Sequence, residues 1–179
     1  MQTRKLFVLL TRFPGLDAKF MMAWTRCPYT HVSLGLDENM NTYYSFVKTG
    51  FIVEDIARYN RPGREPFACE LYALEVPQAV YDRVRELLTT FTNDRRSFHY
   101  ARMALVLSLM LHIPSRFKNR YFCSQFVAHI LKRSQAARLK KPCTLYFAKD
   151  FRRHQQLKMV YRGDLLRYVG KFGARPFPA

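Results

Sequence analysis

The sequence predicts an α+β fold: an antiparallel sheet packed against a helix that begins at a cysteine. Three observations lead there. Strand-like runs gather early, and helical periodicity dominates from Pro77 onward. Residues 29–48 read as a hairpin. Cys123 directly precedes Phe126, Val127, Ile130 and Leu131, which recur at helical spacing.

In chain order, Lys5–Thr11 is a β-branched and aromatic strand, closed by the turn signal Phe13-Pro14-Gly15. Leu16–Thr25 has helical spacing, with Asp17 as its cap and Leu16, Phe20, Ala23 and Trp24 on the inward side. Cys27-Pro28 ends it. Tyr29–Leu36 and Thr42–Lys48 are strands joined by the polar turn Asp37–Asn41. Gly50–Ile56 is a weaker strand signal because its alternation is loose. Arg58–Pro66, with its Pro, Gly and Asn, is a loop, and Ala68–Val76 is a strand. Pro77 opens a helix at the position that favours proline, with Val80, Val84, Leu87, Leu88 and Phe91 as its buried stripe. Asn93–Ser97 is polar and mobile. Tyr100–Ile113 is an apolar helix or helical lid stopped by Pro114, and Ser115–Arg120 is a basic loop. The cysteine helix runs to about Arg138, and Lys158–Arg162 and Leu165–Val169 form a closing pair of strands. This gives one domain over residues 1–170 and a tail over 171–179.

Composition narrows the function classes. At 49% hydrophobic and 15% aromatic residues, the chain is not a disordered one. The run Leu6–Leu10 is too short for a signal-peptide core, and Met103–Ile113 is too short for a membrane span, so a cytoplasmic protein is expected. The four cysteines, Cys27, Cys69, Cys123 and Cys143, show no CxxC pair and no metal-ligand rhythm, so free thiols and no structural metal are expected. Thirty Lys and Arg against 13 Asp and Glu give +17. Such a surface is either a generally solvated, weakly steering one or one meant for an anionic partner, such as nucleic acid, anionic lipid or a cell-wall polymer. No nucleic-acid motif accompanies it.

The chemistry centres on Cys123. The free N–H groups of a first helical turn carry partial positive charge and favour a thiolate, the nucleophilic form. The plainer reading is a small buried Cys under a helix. Of the five His, His31 stands out, because it shares a strand face with Ser33 and Gly35 while Val32, Leu34 and Leu36 face the other way. Small neighbours leave room for the tip of the cysteine helix, and Cys with His makes a nucleophile and its general base. A hydrogen-bonded strand histidine is the plainer reading here too. For a third group to orient the imidazole, a hairpin centred near Asn39 puts Tyr43 and Ser45 on the His31 face, with Ser45 the favourite and Tyr43 the runner-up. Asp37 and Glu38 sit in the turn, too far away.

These residues carry a resemblance. Thr30-His31-Val32-Ser33-Leu34-Gly35-Leu36-Asp37, then Tyr44-Ser45-Phe46, then Tyr121-Phe122-Cys123-Ser124-Gln125-Phe126-Val127 resemble the circularly permuted NlpC-type, papain-like superfamily. That branch includes the YiiX-like bacterial proteins and the lecithin:retinol acyltransferase-like group, and in it the His strand precedes the Cys helix, as it does here. The resemblance extends to Val160–Leu165, while Val47-Lys48 departs from the Gly-Arg of many bacterial relatives. It implies a sheet or barrel with a packed helix that has the Cys at its N-terminus. It also implies Cys123 as nucleophile, His31 as base, and a cysteine hydrolase (peptidase- or amidase-like) or acyltransferase that needs no metal or cofactor. The acyl donor is a small molecule, a peptide or a lipid. A catalytically inactive binding module of the same fold, using its basic face for an anionic polymer or membrane surface, is the alternative. Met103–Ile113 is read first as buried core, and second as a surface for a greasy acyl chain or a membrane.

Overall fold

The computed structural model describes residues 2–12, 16–37, 41–59, 67–115 and 117–172; the side chains of 16–20, 59 and 170–172 are outside that description. The Phe13–Gly15 turn, Glu38, most of the 58–66 loop, Arg116 and residues 173–179 therefore fall outside the described residues.

Strand β1 (Thr3–Thr11) is the spine. It pairs antiparallel with β2 (His31–Leu36) on one side and β5 (Ala68–Pro77) on the other. β3 (Thr42–Val47) and β4 (Gly50–Asp55) extend the β2 side, and β8 (Lys158–Asp164) the β5 side, in the order β4-β3-β2-β1-β5-β8. The sheet is open: β4 and β8 are its edges, so the expected alternative of a barrel is not realised among the described residues. Two short strands, β6 (His99–Tyr100) and β7 (Arg120–Tyr121), pair in parallel apart from it.

The β3–β4 hairpin closes with Lys48-Thr49 between paired Val47 and Gly50. Gly50 has φ +115, and an added Cβ would meet the Phe98 carbonyl oxygen at 2.8 Å, so glycine is required there. At the opposite end of β2, Arg4 Nε donates to Asp37 Oδ2 at 3.0 Å and Lys5 N to the same oxygen at 2.9 Å, which ties Asp37 to β1.

Both sheet faces are covered. Leu6, Val8 and Leu10 join Val32, Leu34, Phe46 and Leu74 beneath α2 (Gln78–Asn93) and α4 (Cys123–Arg133). Phe7 and Leu9 join Tyr43, Leu71 and Tyr168 on the other face, beneath α6 (Leu165–Phe172). Every residue of β2 is consequently buried, including the polar ones.

Several expectations change. Leu165–Val169 is helical: Leu165 N donates to the Phe67 carbonyl at 2.8 Å and Leu166 N to Asp164 Oδ1, capping a helix where a second strand was expected. That helix runs to Phe172. The cysteine helix stops at Arg133, because Gln135 takes φ +62 and Ala136 and Ala137 N–H groups fold back onto the Leu131 carbonyl. A short helix, α5 (Ala148–Arg152), was not foreseen; Asp150 Oδ2 accepts from Phe147 N at 2.8 Å and starts it. Tyr81 replaces Val80 and Leu87 among the fully buried residues of α2. Arg95–Ser97 forms a 3-10 turn, with Ser97 N donating to the Asp94 carbonyl. In α1 (Leu16–Thr25), Ala23 and Trp24 face out and Thr25 faces in, the reverse of the expected face. In α3 (Arg102–Met110), only Ala104, Ser108 and Leu109 are buried, so the Met103–Ile113 segment is not a core helix.

Candidate active site

Cys123 is the first residue of α4, preceded by the extended Phe122. The Phe122 N–H turns to Gln125 Oε1 at 3.4 Å, so a side chain from the first turn serves the residue before it. Phe126, Val127, Ile130 and Leu131 carry α4 into the main core; the Phe126 ring lies 5.2 Å from Phe46 and 5.0 Å from Phe91, centroid to centroid. This packing holds the helix against β2 and β3 and leaves its N-terminus beside the start of β2.

There β2 and β3 part. Their ladder is confined to Leu34↔Tyr44 and Gly35↔Tyr43, which is the register centred on residue 39 that the hairpin pattern predicts. His31–Ser33 and Ser45–Val47 are not laddered together, and Cys123 comes to His31 in this region. Cys123, Ser124, Tyr29, Thr30, Val32 and Met21 are among the residues around a cavity of about 10 Å³. That is room for about one water molecule.

His31 Nε2 lies 2.6 Å from Glu54 Oε1, and the Ser33 hydroxyl donates to the same oxygen at 3.3 Å. His31 and Glu54 are both buried. Burial is the largest single influence on His31 and opposes its charged form. The Glu54 carboxylate and the charge and hydrogen bonding of Cys123 together outweigh it, so His31 is raised to about 10 and the ring is an imidazolium at neutral pH.

Thus Cys123 and His31 are brought together, but neither residue expected as the third partner meets the imidazole. The Ser45 hydroxyl donates to the Val32 carbonyl at 2.7 Å, where it bridges the parted strands. The Tyr43 hydroxyl is 3.0 Å from that of Tyr168, beneath α6. Glu54 was missed because the partner was sought on the adjacent strand, whereas it comes from β4, beyond β3. The signal was present. Glu54 shares a strand face with Ile52 and Ile56 by alternation, and Ile56 is fully buried. A two-residue turn at Lys48-Thr49 sets Glu54 opposite Tyr43, on the His31 face.

A second buried carboxylate supports the segment that leads into His31. Glu70 is 1% exposed. Arg152 Nε donates to its Oε2 at 2.8 Å, Arg162 Nε to its Oε1 at 2.7 Å, and the Tyr72 hydroxyl to Oε2 at 2.7 Å. Burial alone would raise this carboxyl; the two guanidiniums and Tyr72 hold it below its ordinary value. The same Arg152 stands over the Tyr29 ring at 5.6 Å.

The other thiols sit differently. Burial pushes Cys69 up to about 12, helped by the Asp164 and Glu70 charges, and burial also raises Cys27. Cys143 is half-buried on the wall of a separate cleft of about 500 Å³ on the far side of α4. Among the described residues no cluster of His, Cys, Asp and Glu suits a metal ion.

No protein-family model matches this chain, and no curated protein matches it.

Proposed function

We propose that this protein is a cysteine-dependent hydrolase or acyltransferase acting on an amide, ester or thioester. The observation that carries the reading is the Cys123–His31–Glu54 constellation: a cysteine at a helix start, interacting with a buried imidazolium whose ring is held by a buried carboxylate. In this reading the Cys123 thiolate attacks the acyl carbon, and the carbonyl π electrons move to oxygen. Backbone N–H groups of the first α4 turn stabilise that oxyanion. As the tetrahedral adduct collapses, its bond to the leaving group breaks. His31 gives its proton to the departing nitrogen, oxygen or sulfur, leaving a thioester on Cys123. Water or another acceptor then attacks the thioester while neutral His31 takes its proton. Release of the acyl product restores the thiolate–imidazolium pair. Glu54 keeps the ring oriented and favours its charged form throughout. The permuted NlpC-type resemblance of the His31 strand and the Cys123 helix points to the same chemistry.

The test is thiol reactivity followed by turnover. Iodoacetamide at neutral pH, with mass-spectrometric site assignment, should label Cys123 before Cys27, Cys69 and Cys143, and His31→Ala should slow that labelling. Acyl-thioester trapping from a panel of activated esters should then depend on Cys123. Unreactive Cys123 in the folded protein, with Cys143 labelled first, would defeat the enzymatic reading and leave the inactive binding module.

A further inference from the structure

We infer that the outer face of α1 and α3 is a docking surface for an anionic lipid bilayer. On α3 the buried residues Ala104 and Ser108 define the inward side, and Met103, Val106 and Met110, spaced three and four apart, occupy the opposite side. Met103 is 64% exposed, and in the segment that follows α3 Leu111 at 60%, Ile113 and Phe117 are exposed as well. Trp24 joins it from α1: its indole N–H donates to the Leu109 carbonyl at 2.7 Å while half the side chain remains in solvent. Isolated exposed apolar residues are ordinary, but seven large ones along one helix and its neighbouring segments are a patch that marks an interaction surface.

Charge identifies the occupant. No Asp or Glu occurs between Arg95 and Lys149, a stretch that holds the whole of α3 and carries twelve Lys and Arg. Arg102 in α3, Lys118 and Arg120 directly after Phe117, and Arg26 directly after α1 are all exposed. An apolar stripe bordered by cations, with a Trp at its margin, matches a bilayer interface that has anionic headgroups. A second copy of this chain would bring like charge against like. The placement also reaches the candidate active site: Met21 of α1 and Leu105 of α3 line the Cys123 cavity from the inner side of these two helices. A docked bilayer would therefore lie directly over the elements that cover the thiol.

Trp24 is the sole tryptophan, so the protein reports its own docking. The emission of Trp24 and co-sedimentation are read with phosphatidylserine-containing vesicles and with pure phosphatidylcholine vesicles. The expected result is a blue shift and pelleting with the anionic vesicles, both falling as salt is added. Met103→Glu/Val106→Glu/Met110→Glu should lower the partition coefficient about 100-fold, and Arg102→Gln/Lys118→Gln/Arg120→Gln about 10- to 100-fold. The second variant changes only exposed charges, so it stands if the first fails to fold. Cys123→Ala should bind like wild type, which separates this inference from the catalytic reading. The inference is overturned if wild type does not bind anionic vesicles, or if both triple variants bind as wild type does. It is also overturned if a soluble polyanion retains wild type and the Glu variant equally while vesicles do not. Self-association in sedimentation, abolished by the Glu substitutions, would assign the face to a second copy instead.

Discussion

Replacing Glu54 by Gln removes one charge from the buried pair and keeps the side chain's size and an acceptor oxygen. His31 and Glu54 side chains are 7% and 4% exposed, so water screens their attraction little. The rise of His31 from 6.5 to about 10 is worth about 5 kcal/mol of preference for the imidazolium, some of it due to Cys123. Gln retains part of the hydrogen bonding, and loss of one partner from a buried pair costs about 3–5 kcal/mol. Glu54→Gln should therefore destabilise the protein by about 2–4 kcal/mol at neutral pH. The sign of the pH dependence follows from the direction of the shift. A histidine raised on folding contributes its full stabilisation below about pH 6.5 and loses it as pH climbs through about 10. The gap between wild type and variant in urea unfolding should thus be widest at and just below about pH 6.5 and narrow toward pH 10. In NMR titration His31 of the variant should lose its proton at much lower pH than in wild type. If the variant unfolds at the wild-type urea midpoint and His31 titrates unchanged, Glu54 does not hold the imidazolium and the argument fails.

Three other substitutions probe the surrounding structure. Glu70→Gln should cost about 1–3 kcal/mol, moderated because Arg152 and Arg162 are partly in solvent. Since the Glu70 carboxyl is lowered on folding from its ordinary 4.5, its contribution is present above that pH and fades as pH falls below it, so melting curves of wild type and variant should converge in acid. Gly35→Ala would place a Cβ 2.7 Å from the Tyr43 ring, which is fully buried and tethered to Tyr168; a loss of about 1–3 kcal/mol in chemical denaturation is expected, and none would mean the ring can move aside. Ser45→Ala should cost about 1 kcal/mol through the lost bond to Val32 and leave the Cys123 alkylation rate unchanged, whereas a drop in that rate would restore Ser45 as an orienting group.

Local pattern made much of this molecule readable without coordinates. Short apolar, β-branched and aromatic runs bounded by turn residues located β1, β2, β3 and β5 to within two residues, because a strand buried on both faces reads as such a run. The apolar spacing after Cys123 placed the thiol at the start of an inward-facing helix, and the pairing of Leu34 with Tyr44 was fixed by matching apolar faces about residue 39. Tertiary structure decided what spacing alone does not encode. Leu165–Val169 became a helix because Phe67 and Asp164 supply its first acceptors from outside the segment. Met103–Ile113 is apolar on both sides, so periodicity could not say which side the core would take; only the packing of Ala104 and Ser108 decided it. Glu54 reaches His31 only because three strands fold into one sheet and the middle one parts from β2 on the His31 side of Leu34. A sequence specifies which residues share a strand face, but contact across an intervening strand depends on twist and divergence, and these are properties of the assembled sheet.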